Sequence, residues 1–170
     1  MSQKQKVLDI LKEVSPLPKQ GRNNITADNQ GKNKGVVLGK VRDFLGRGKD
    51  SKAGDIVTAR LTETPKYKPL FEEASKLMKQ HNPNFKFTSI QINENQKTSK
   101  HKDGYNVGKS YIIGLGDYTG GEVRLYTKDG KSHKDINIKN RWATFDGSEL
   151  EHETLPFKGQ RFTLVYYSVN

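Results

Sequence analysis

The 170-residue sequence contains no cysteine and carries 30 Lys and Arg against 19 Asp and Glu, a formal net charge of +11. The lack of cysteine excludes disulfide cross-links and cysteine-ligated metal centres, so His, Asp and Glu are the remaining candidate ligands for a metal. No stretch is apolar for long enough to span a membrane, and the charged N-terminus is unlike a signal peptide. We therefore expect a single soluble, intracellular domain that is not secreted and that belongs to the cytoplasm or nucleus or is a viral protein in a host cell.

Most of the excess positive charge lies before residue 101. Residues 1–100 carry 20 Lys and Arg against 10 Asp and Glu, whereas residues 101–170 carry 10 against 9. A basic region beside a nearly neutral half is typical of a protein that attracts a polyanion such as DNA or RNA. Because a lysine-rich surface also serves solubility alone, the charge does not decide between the two interpretations.

The first predicted elements, within residues 1–84, suggest a basic support region. Apolar residues at helical spacing predict a helix over 3–14, and a second helix is predicted over 69–83, which has Pro at its start and Asn-Pro at its end. Residues 19–35 are rich in Asn, Gly and Lys and predict a mobile loop. The segments GVVLGKV and DIVTARL, which lie between this loop and the second helix, predict strands.

From Phe85 onward the pattern changes to short β-rich runs separated by turn residues. The predicted strands lie in FKFTSIQIN, KSYIIGLG, EVRLYT, HKDINI, RWATFDG, HETLPF and QRFTLVYYSV. Several short strands at this spacing predict a sandwich, a jelly roll or a small barrel.

Two His-x-Asp triplets are candidate metal-binding motifs: HKDGYN, which starts at His101, and HKDINI, which starts at His133. In the second, His133 and Asp135 alternate with isoleucines along a strand, so both polar side chains should face solvent. In the first, His101 and Asp103 stand at a strand end before a glycine-containing loop and point the same way. We therefore predict that the first triplet supplies two ligands of a metal site.

A third ligand and an anion-binding residue are predicted further along the chain. His152 follows His101 by fifty-one residues and about four strands, enough to run out and back across a sandwich. Two imidazoles and one carboxylate match the facial triad of non-haem Fe(II) oxygenases, whereas zinc hydrolysis needs a nearby general base that we cannot identify. Arg161 and Thr163 share a strand face, and a buried arginine requires a carboxylate, which a cosubstrate can supply.

These five residues, in this order on a β-rich scaffold, resemble the pattern of the 2-oxoglutarate- and Fe(II)-dependent dioxygenases. The resemblance implies a mostly β fold with N-terminal helices around a double-stranded β-helix, a jelly roll of the cupin type. It implies one oxygenase domain over residues 1–170, in which 1–84 form the support and 85–170 form the core.

The resemblance also implies an oxidoreductase that uses Fe(II), 2-oxoglutarate and O2. The residues implied for metal binding and catalysis are His101, Asp103 and His152. Those implied for the cosubstrate are Arg161 and Thr163 at its distal carboxylate and Asn93 and Asn95 at its near end.

Within this superfamily the closer likeness is to the TET/JBP branch, which oxidises the methyl group of 5-methylcytosine or thymine in nucleic acid. Its members often extend the triplet to His-x-Asp-x-x-Asn, and Asn106 occupies that last position. The likeness implies hydroxylation of a base methyl group in DNA, with Asn106 contacting the target base. Tyr105 could stack on an extruded base beside Lys102 and Asn106.

Departures from this branch leave alternatives open. The cysteine-free chain cannot contain the cysteine-rich module of the long TET enzymes, and we do not expect the separate DNA-binding domain of the large JBP proteins. DNA binding would then fall to the basic N-terminal half. The alternative function is a 2-oxoglutarate-dependent hydroxylase of a prolyl or lysyl side chain, and a third is a non-catalytic nucleic-acid-binding module. A monomer without a membrane partner is expected.

Overall fold

A computed structural model describes residues 1–21, 32–104 and 106–169. The helices are α1 (Gln3–Val14) and α2 (Lys68–His81). The strands are β1 (Lys19–Gly21), β2 (Lys32–Asp43), β3 (Asp55–Thr58), β4 (Ser89–Glu94), β5 (Ser110–Leu115), β6 (Tyr118–Gly120), β7 (Val123–Tyr126), β8 (His133–Ile136), β9 (Ala143–Phe145), β10 (His152–Thr154), β11 (Phe157–Gly159) and β12 (Phe162–Tyr167). The fold is thus mostly β with two helices, as predicted.

The two helices form where the sequence predicts them. In α1 the hydroxyl of Ser2 accepts the backbone N–H of Gln5, which satisfies one of the free N–H groups of the first turn. In α2 a proline occupies the first turn, where its missing N–H costs no hydrogen bond. Both helices bury their apolar faces in one cluster with the large sheet, and this cluster holds α1 and α2 against one face of the sheet.

The large sheet has the strand order β1-β2-β4-β12-β5-β9, with β3 paired to β2. Strand β12 runs antiparallel between β4 and β5. In β4 the side chains alternate between two buried environments: Ile90 and Ile92 join the helix-facing cluster, whereas Gln91 and Asn93 line a cavity on the opposite face. A polar row therefore faces the interior of the β structure.

Smaller sheets cover the cavity side. One has the order β10-β7-β8 and the other pairs β11 with β6. Val123, Leu125, Ile138 and Phe145 form a second apolar cluster at this side. The cavity lies between the large sheet and these strands, an arrangement typical of a jelly roll.

The N-terminal region adds to the large sheet and corrects one expectation. Strands β1, β2 and β3 of the predicted support join the sheet through antiparallel pairing. The two ends of the loop expected over 19–35 are strands β1 and β2, which pair with each other. Residues 22–31, the middle of that loop, lie outside the described residues. In the part of the chain described, no helix is both long and apolar enough to cross a membrane.

Candidate metal centre

Backbone pairing brings the predicted metal ligands together. His101 and His152 form an isolated antiparallel bridge in which the N–H of each donates to the C=O of the other, at 3.0 and 2.9 Å. Asp103 follows two residues later on the same extended segment, so its side chain points the same way as that of His101. The ligand atoms of His101, Asp103 and His152 lie within 4.8 Å of one another. Among the described residues this is the one cluster of three or more His, Cys, Asp and Glu ligand atoms with such spacing.

The two imidazole rings are oriented by hydrogen bonds to backbone carbonyls. Nδ1 of His101 lies 2.7 Å from the carbonyl oxygen of Ser99, and Nδ1 of His152 lies 2.9 Å from that of Leu150. Because a carbonyl only accepts, each Nδ1 carries a proton and each Nε2 of a neutral ring presents a lone pair. Both Nε2 atoms lie 3.5 Å from Oδ1 of Asp103. Three donor atoms therefore converge on one position.

Asp103 remains ionised in this environment. Burial alone would raise the pKa of its carboxyl group, but hydrogen bonding and charge from His101 and His152 outweigh burial and hold the pKa well below its usual range. The Asn106 carboxamide donates to Oδ2 of Asp103 at 3.4 Å, and the backbone N–H of Asp103 donates to Gly147 at 2.8 Å. An anionic oxygen is therefore available between the two rings.

Gly147 fits closely against the cluster. A Cβ atom at this position would overlap Oδ2 of Asp103 and would lie 3.0 Å from Cγ of Asp103 and 3.2 Å from Cε1 of His152. The glycine between β9 and β10 therefore lets the chain pass directly against two candidate ligands.

A cavity of about 620 Å³ opens beside the cluster. Its lining includes all three candidate ligands and a polar row from β4 and β12. In this row Nε2 of Gln91 donates to Oδ1 of Asn93 at 3.0 Å, and Nδ2 of Asn93 donates to Oγ1 of Thr163 at 3.2 Å. Asn93 and Thr163 therefore lie in the cavity wall, where a cosubstrate site was predicted.

Arg161 is a buried cation at the end of the cavity where β12 begins. Its side chain is flanked by the rings of Tyr118 and Phe157, with Cζ 5.7 and 5.4 Å from their centroids, and Nη2 donates to the carbonyl of Gly121 at 2.8 Å. Nε has no hydrogen-bond partner. Across residues 1–21, 32–104 and 106–169, no carboxylate forms a salt bridge with Arg161.

The burial of Arg161 has an energetic consequence. Only 2% of the residue is exposed, and burial lowers the pKa of the guanidinium because the charged form is poorly solvated. An unpaired buried charge is costly, and a bound carboxylate would offset that cost with planar, paired hydrogen bonds. The residue is therefore suited to bind a small carboxylate that enters the cavity.

Sequence reasoning missed several polar residues of the cavity wall, among them Gln96 and Ser110. Gln96 is 2% exposed, and among the described residues neither its Nε2 and Oε1 nor the buried Oγ of Ser110 has a hydrogen-bond partner. Buried polar atoms of native proteins are normally hydrogen-bonded, to water or ligand if not to protein. Gln96 lies at the Arg161 end, since its neighbour Asn95 exchanges two hydrogen bonds with the backbone of Arg161.

Of the other residues predicted to contact cosubstrate or substrate, some line the cavity and some do not. Asn106 lines the cavity, as its proposed contact with a substrate requires. Asn95 does not: it is exposed, and its Oδ1 accepts the N–H of Arg161 at 2.7 Å, so its expected contact with a cosubstrate is not supported. Lys102 is exposed and is not part of the lining, because it alternates with His101 and Asp103. Tyr105 lies outside the described residues.

The second His-x-Asp triplet forms part of the solvent-exposed surface, as predicted. His133 and Asp135 are exposed in β8. Nε and Nη2 of Arg124 donate to the carboxylate of Asp135 at 2.8 and 3.1 Å, and the ring of His133 contacts that of Tyr126. Both residues thus take part in cross-strand surface pairs.

Similarity to known proteins is found in the fold but not in the sequence. No protein-family model matches the chain, and no curated protein matches it. NgTET1, solved in complex with 5mC DNA, has a similar structure with a TM-score of 0.59 and 13% identity, over 98% of this chain and 68% of that one. A 2OG-Fe(II) oxygenase family protein from Burkholderia pseudomallei has a TM-score of 0.57 and 15% identity, over 94% of this chain and 77% of that one.

A third similar structure is that of a bsmA homolog from Methylobium petroleophilum PM1, with a TM-score of 0.50 and 12% identity, over 98% of this chain and 82% of that one. The chain has the fold of the 2OG-Fe(II) oxygenases. The predicted fold class, a double-stranded β-helix, is therefore confirmed, as is the predicted resemblance to these oxygenases and their TET branch.

The residues of this chain also suit the Fe(II) ion and the carboxylate cosubstrate that this fold implies. Two imidazole nitrogens and one carboxylate oxygen are a donor set that suits Fe(II). Arg161, with a free Nε and no carboxylate partner in the described residues, suits an anion of the size that the cavity admits.

Proposed function

We propose that the chain is an Fe(II)- and 2-oxoglutarate-dependent dioxygenase that hydroxylates a methyl group on a nucleic-acid base, thymine or 5-methylcytosine in DNA. The observation that carries the proposal is the juxtaposition of the His101, Asp103 and His152 cluster with the buried Arg161 in one cavity, where Arg161 forms no salt bridge with any described residue. A metal site alone suits many reactions, but a second site for a small carboxylate in the same cavity is typical of oxygenases that need a diacid cosubstrate.

The metal would be held by His101, Asp103 and His152, and when bound together with 2-oxoglutarate it would supply the oxidising chemistry that replaces a C–H bond by C–OH. The chain itself orients the donors. The carbonyls of Ser99 and Leu150 fix the proton of each imidazole on Nδ1, which keeps the lone pair of each Nε2 directed at the metal position.

Arg161 would bind the distal carboxylate of the cosubstrate. Its guanidinium is fixed before binding by Gly121 and by the rings of Tyr118 and Phe157, so little conformational entropy is lost when the anion arrives. Thr163 and Asn93 contribute polar atoms to the wall of the same cavity. The apolar side chains of Val123, Ile112 and Phe145 in the same wall limit the access of water.

Three observations support nucleic acid as the substrate. The net charge of +11 is concentrated in residues 1–100. NgTET1, one of the proteins with a similar fold, was solved with 5mC DNA. Asn106, at the position that contacts the target base in the TET/JBP branch, lies in the cavity wall next to Asp103.

The test is mass spectrometry of nucleosides after incubation of DNA, with and without 5-methylcytosine, with the protein, Fe(II) and 2-oxoglutarate. We expect a product that is one oxygen atom heavier than thymidine or 5-methyldeoxycytidine, together with succinate. His101→Ala should abolish both products. His133→Ala is the matched control, since it removes the histidine of the other triplet and should leave both products unchanged.

Retained activity in His101→Ala would refute the assignment of the metal site. Consumption of 2-oxoglutarate that prolyl or lysyl peptides stimulate and DNA does not would assign the protein to the alternative class of side-chain hydroxylases. Failure of the wild-type protein to consume 2-oxoglutarate with Fe(II) would refute the oxygenase proposal itself.

A further inference from the structure

Among the described residues, the hydroxyl of Ser110 is a buried polar group without a hydrogen-bond partner. Ser110 is the first residue of β5, only 2% of it is exposed, and its Oγ bonds to no other described residue. Buried hydroxyl groups of native proteins are normally hydrogen-bonded to protein, water or ligand. The partner of this hydroxyl is therefore expected to come from outside the chain.

The side chain of Ser110 is on the cavity face of the large sheet. Ser110 and Ile112 are two residues apart in β5, so they share a face, and both line the cavity. Tyr111, which lies between them, packs on the opposite face against the cluster that includes the helices. The hydroxyl therefore belongs to the wall of the space that substrate and cosubstrate would occupy.

Within the cavity wall, Ser110 lies close to the metal cluster. Ser110 and Phe145 are directly opposite each other in the antiparallel pairing of β5 with β9, so their side chains are neighbours on the same face. The ring of Phe145 in turn contacts the ring of His152, with centroids 5.0 Å apart. Ser110 is therefore one side chain removed from a candidate metal ligand.

The distal carboxylate site at Arg161 is at the other end of the same strands. Strand β12 begins just after Arg161, and its first residue, Phe162, is opposite Leu115 of β5. Ser110 and Leu115 are the two ends of β5, so roughly 17 Å of strand separates them. A diacid held by Arg161 is thus at the far end from Ser110, and the hydroxyl is left to the primary substrate.

We propose that Ser110 is a substrate-binding residue whose hydroxyl hydrogen-bonds the polar group on C4 of the target pyrimidine. The inference rests on the proposed function, since it names a contact of the base in that same site. When the C5 methyl group faces the metal, C4 and C6 are the ring atoms next to C5, and of these two only C4 carries a polar group. A hydroxyl both donates and accepts, so Ser110 suits O4 of thymine as well as the amino group of 5-methylcytosine.

The experiment compares three fluorescent oligodeoxynucleotides that differ only in the target base: 5-methylcytosine, thymine, or 5-methyl-2-pyrimidinone, which carries hydrogen on C4. Affinity for the protein loaded with Mn(II) and 2-oxoglutarate is measured by anisotropy, and oxidation with Fe(II) is measured by mass spectrometry. Ser110→Ala should bind the tighter-binding of the two natural bases roughly 5- to 150-fold more weakly, because a buried polar group of that base then lacks its partner. It should bind the pyrimidinone oligonucleotide as the wild type does.

Two further measurements separate substrate binding from a structural role. Because Oγ of Ser110 has no partner among the described residues, ligand-free Ser110→Ala should melt at or above the wild-type temperature, with unchanged affinity for 2-oxoglutarate. The matched control is Ser168→Ala, since the hydroxyl of Ser168 donates to the carbonyl of Lys86 at 3.3 Å and the residue is not part of the cavity lining. This control should bind all three oligonucleotides as the wild type does.

Three outcomes would overturn the contact. Wild-type affinity of Ser110→Ala for all three oligonucleotides would mean that the hydroxyl faces water only, even if the bases are oxidised. Equal losses for all three, with a lower melting temperature, would show a structural role. Weaker binding of 2-oxoglutarate by Ser110→Ala would assign the hydroxyl to the cosubstrate instead.

The same measurements distinguish this contact from the proposed function. A loss of affinity that depends on the C4 group, without any oxidised nucleoside, would support the contact and refute the proposed function. A wild-type protein that neither binds nor oxidises any of the three oligonucleotides would refute both.

Discussion

Gly147→Ala tests whether the histidine and aspartate cluster is a metal site whose geometry depends on close backbone packing. The added methyl group would overlap Oδ2 of Asp103 and press against Cε1 of His152 at 3.2 Å. Since backbone atoms cannot withdraw easily, the carboxylate must rotate and abandon its position between the imidazoles. Displacing groups that orient metal ligands costs roughly 10- to 100-fold in metal affinity, or about 1.4 to 2.7 kcal/mol.

The assay is isothermal titration of the protein with Fe(II) under anaerobic conditions. Gly104→Ala is the control: it adds the same methyl group next to Asp103, but among the described residues, apart from its chain neighbours, no atom lies within 4 Å of its Cβ position. We expect Gly104→Ala to bind Fe(II) as the wild type does and Gly147→Ala to bind it weakly, with similar melting temperatures for all three. Wild-type affinity in Gly147→Ala, or equal loss in Gly104→Ala, would refute the reasoning.

Three further predictions concern the cavity and the core. Arg161→Lys keeps the charge but loses the planar pair of donors, so affinity for 2-oxoglutarate, titrated with Mn(II) in place of Fe(II), should fall roughly 10- to 100-fold; an unchanged affinity would place the cosubstrate elsewhere. Gln96→Leu removes two buried atoms that lack partners, so the ligand-free variant should melt a few degrees above the wild type while binding 2-oxoglutarate more weakly; a lower melting temperature would contradict this. Tyr166 donates to the carbonyl of Ala74 at 2.7 Å, and burial raises the pKa of its phenol. A raised folded-state pKa gives stability that is complete below the unfolded value of about 10 and is lost as pH rises above it. Chemical denaturation should therefore show Tyr166→Phe less stable at pH 7 and less sensitive to alkali than the wild type.

Strand periodicity accounts for part of the arrangement that the sequence predicted. His101 and Asp103 share a face since they are two residues apart on an extended segment, and the same rule directed His133 and Asp135 to solvent. Arg161 and Thr163 lie in the cavity wall for the same reason.

Gln96, one of the cavity residues that were missed, lies where periodicity breaks. Asn95 adopts a left-handed conformation with φ of 53°, which interrupts the alternation that begins in β4. The side chain of Gln96 is therefore buried in the cavity while Asn95 is exposed, and no pattern of polar and apolar residues signals that reversal. The role of Gly147 depends on a contact between segments distant in sequence, which local patterns do not encode.

The N-terminal strands were underestimated for a different reason. Residues 32–35 are polar and glycine-containing, so their composition favours a loop. They form a strand because β4 offers free backbone groups along its edge, and the pairing of Lys34 to Glu94 and Gly35 to Asn93 satisfies them. Tertiary pairing thus overrides local preference in this region.

The reciprocal hydrogen bonds between His101 and His152 make the cluster part of the β scaffold rather than of its loops. The folded chain therefore maintains the distances between the ligand atoms of the cluster before any ion binds. Amide hydrogens at these two positions should exchange with deuterium together, in one concerted opening, and the ion should retard both by the same factor. Binding of a metal ion by these side chains would then require almost no reorganisation of the protein around it.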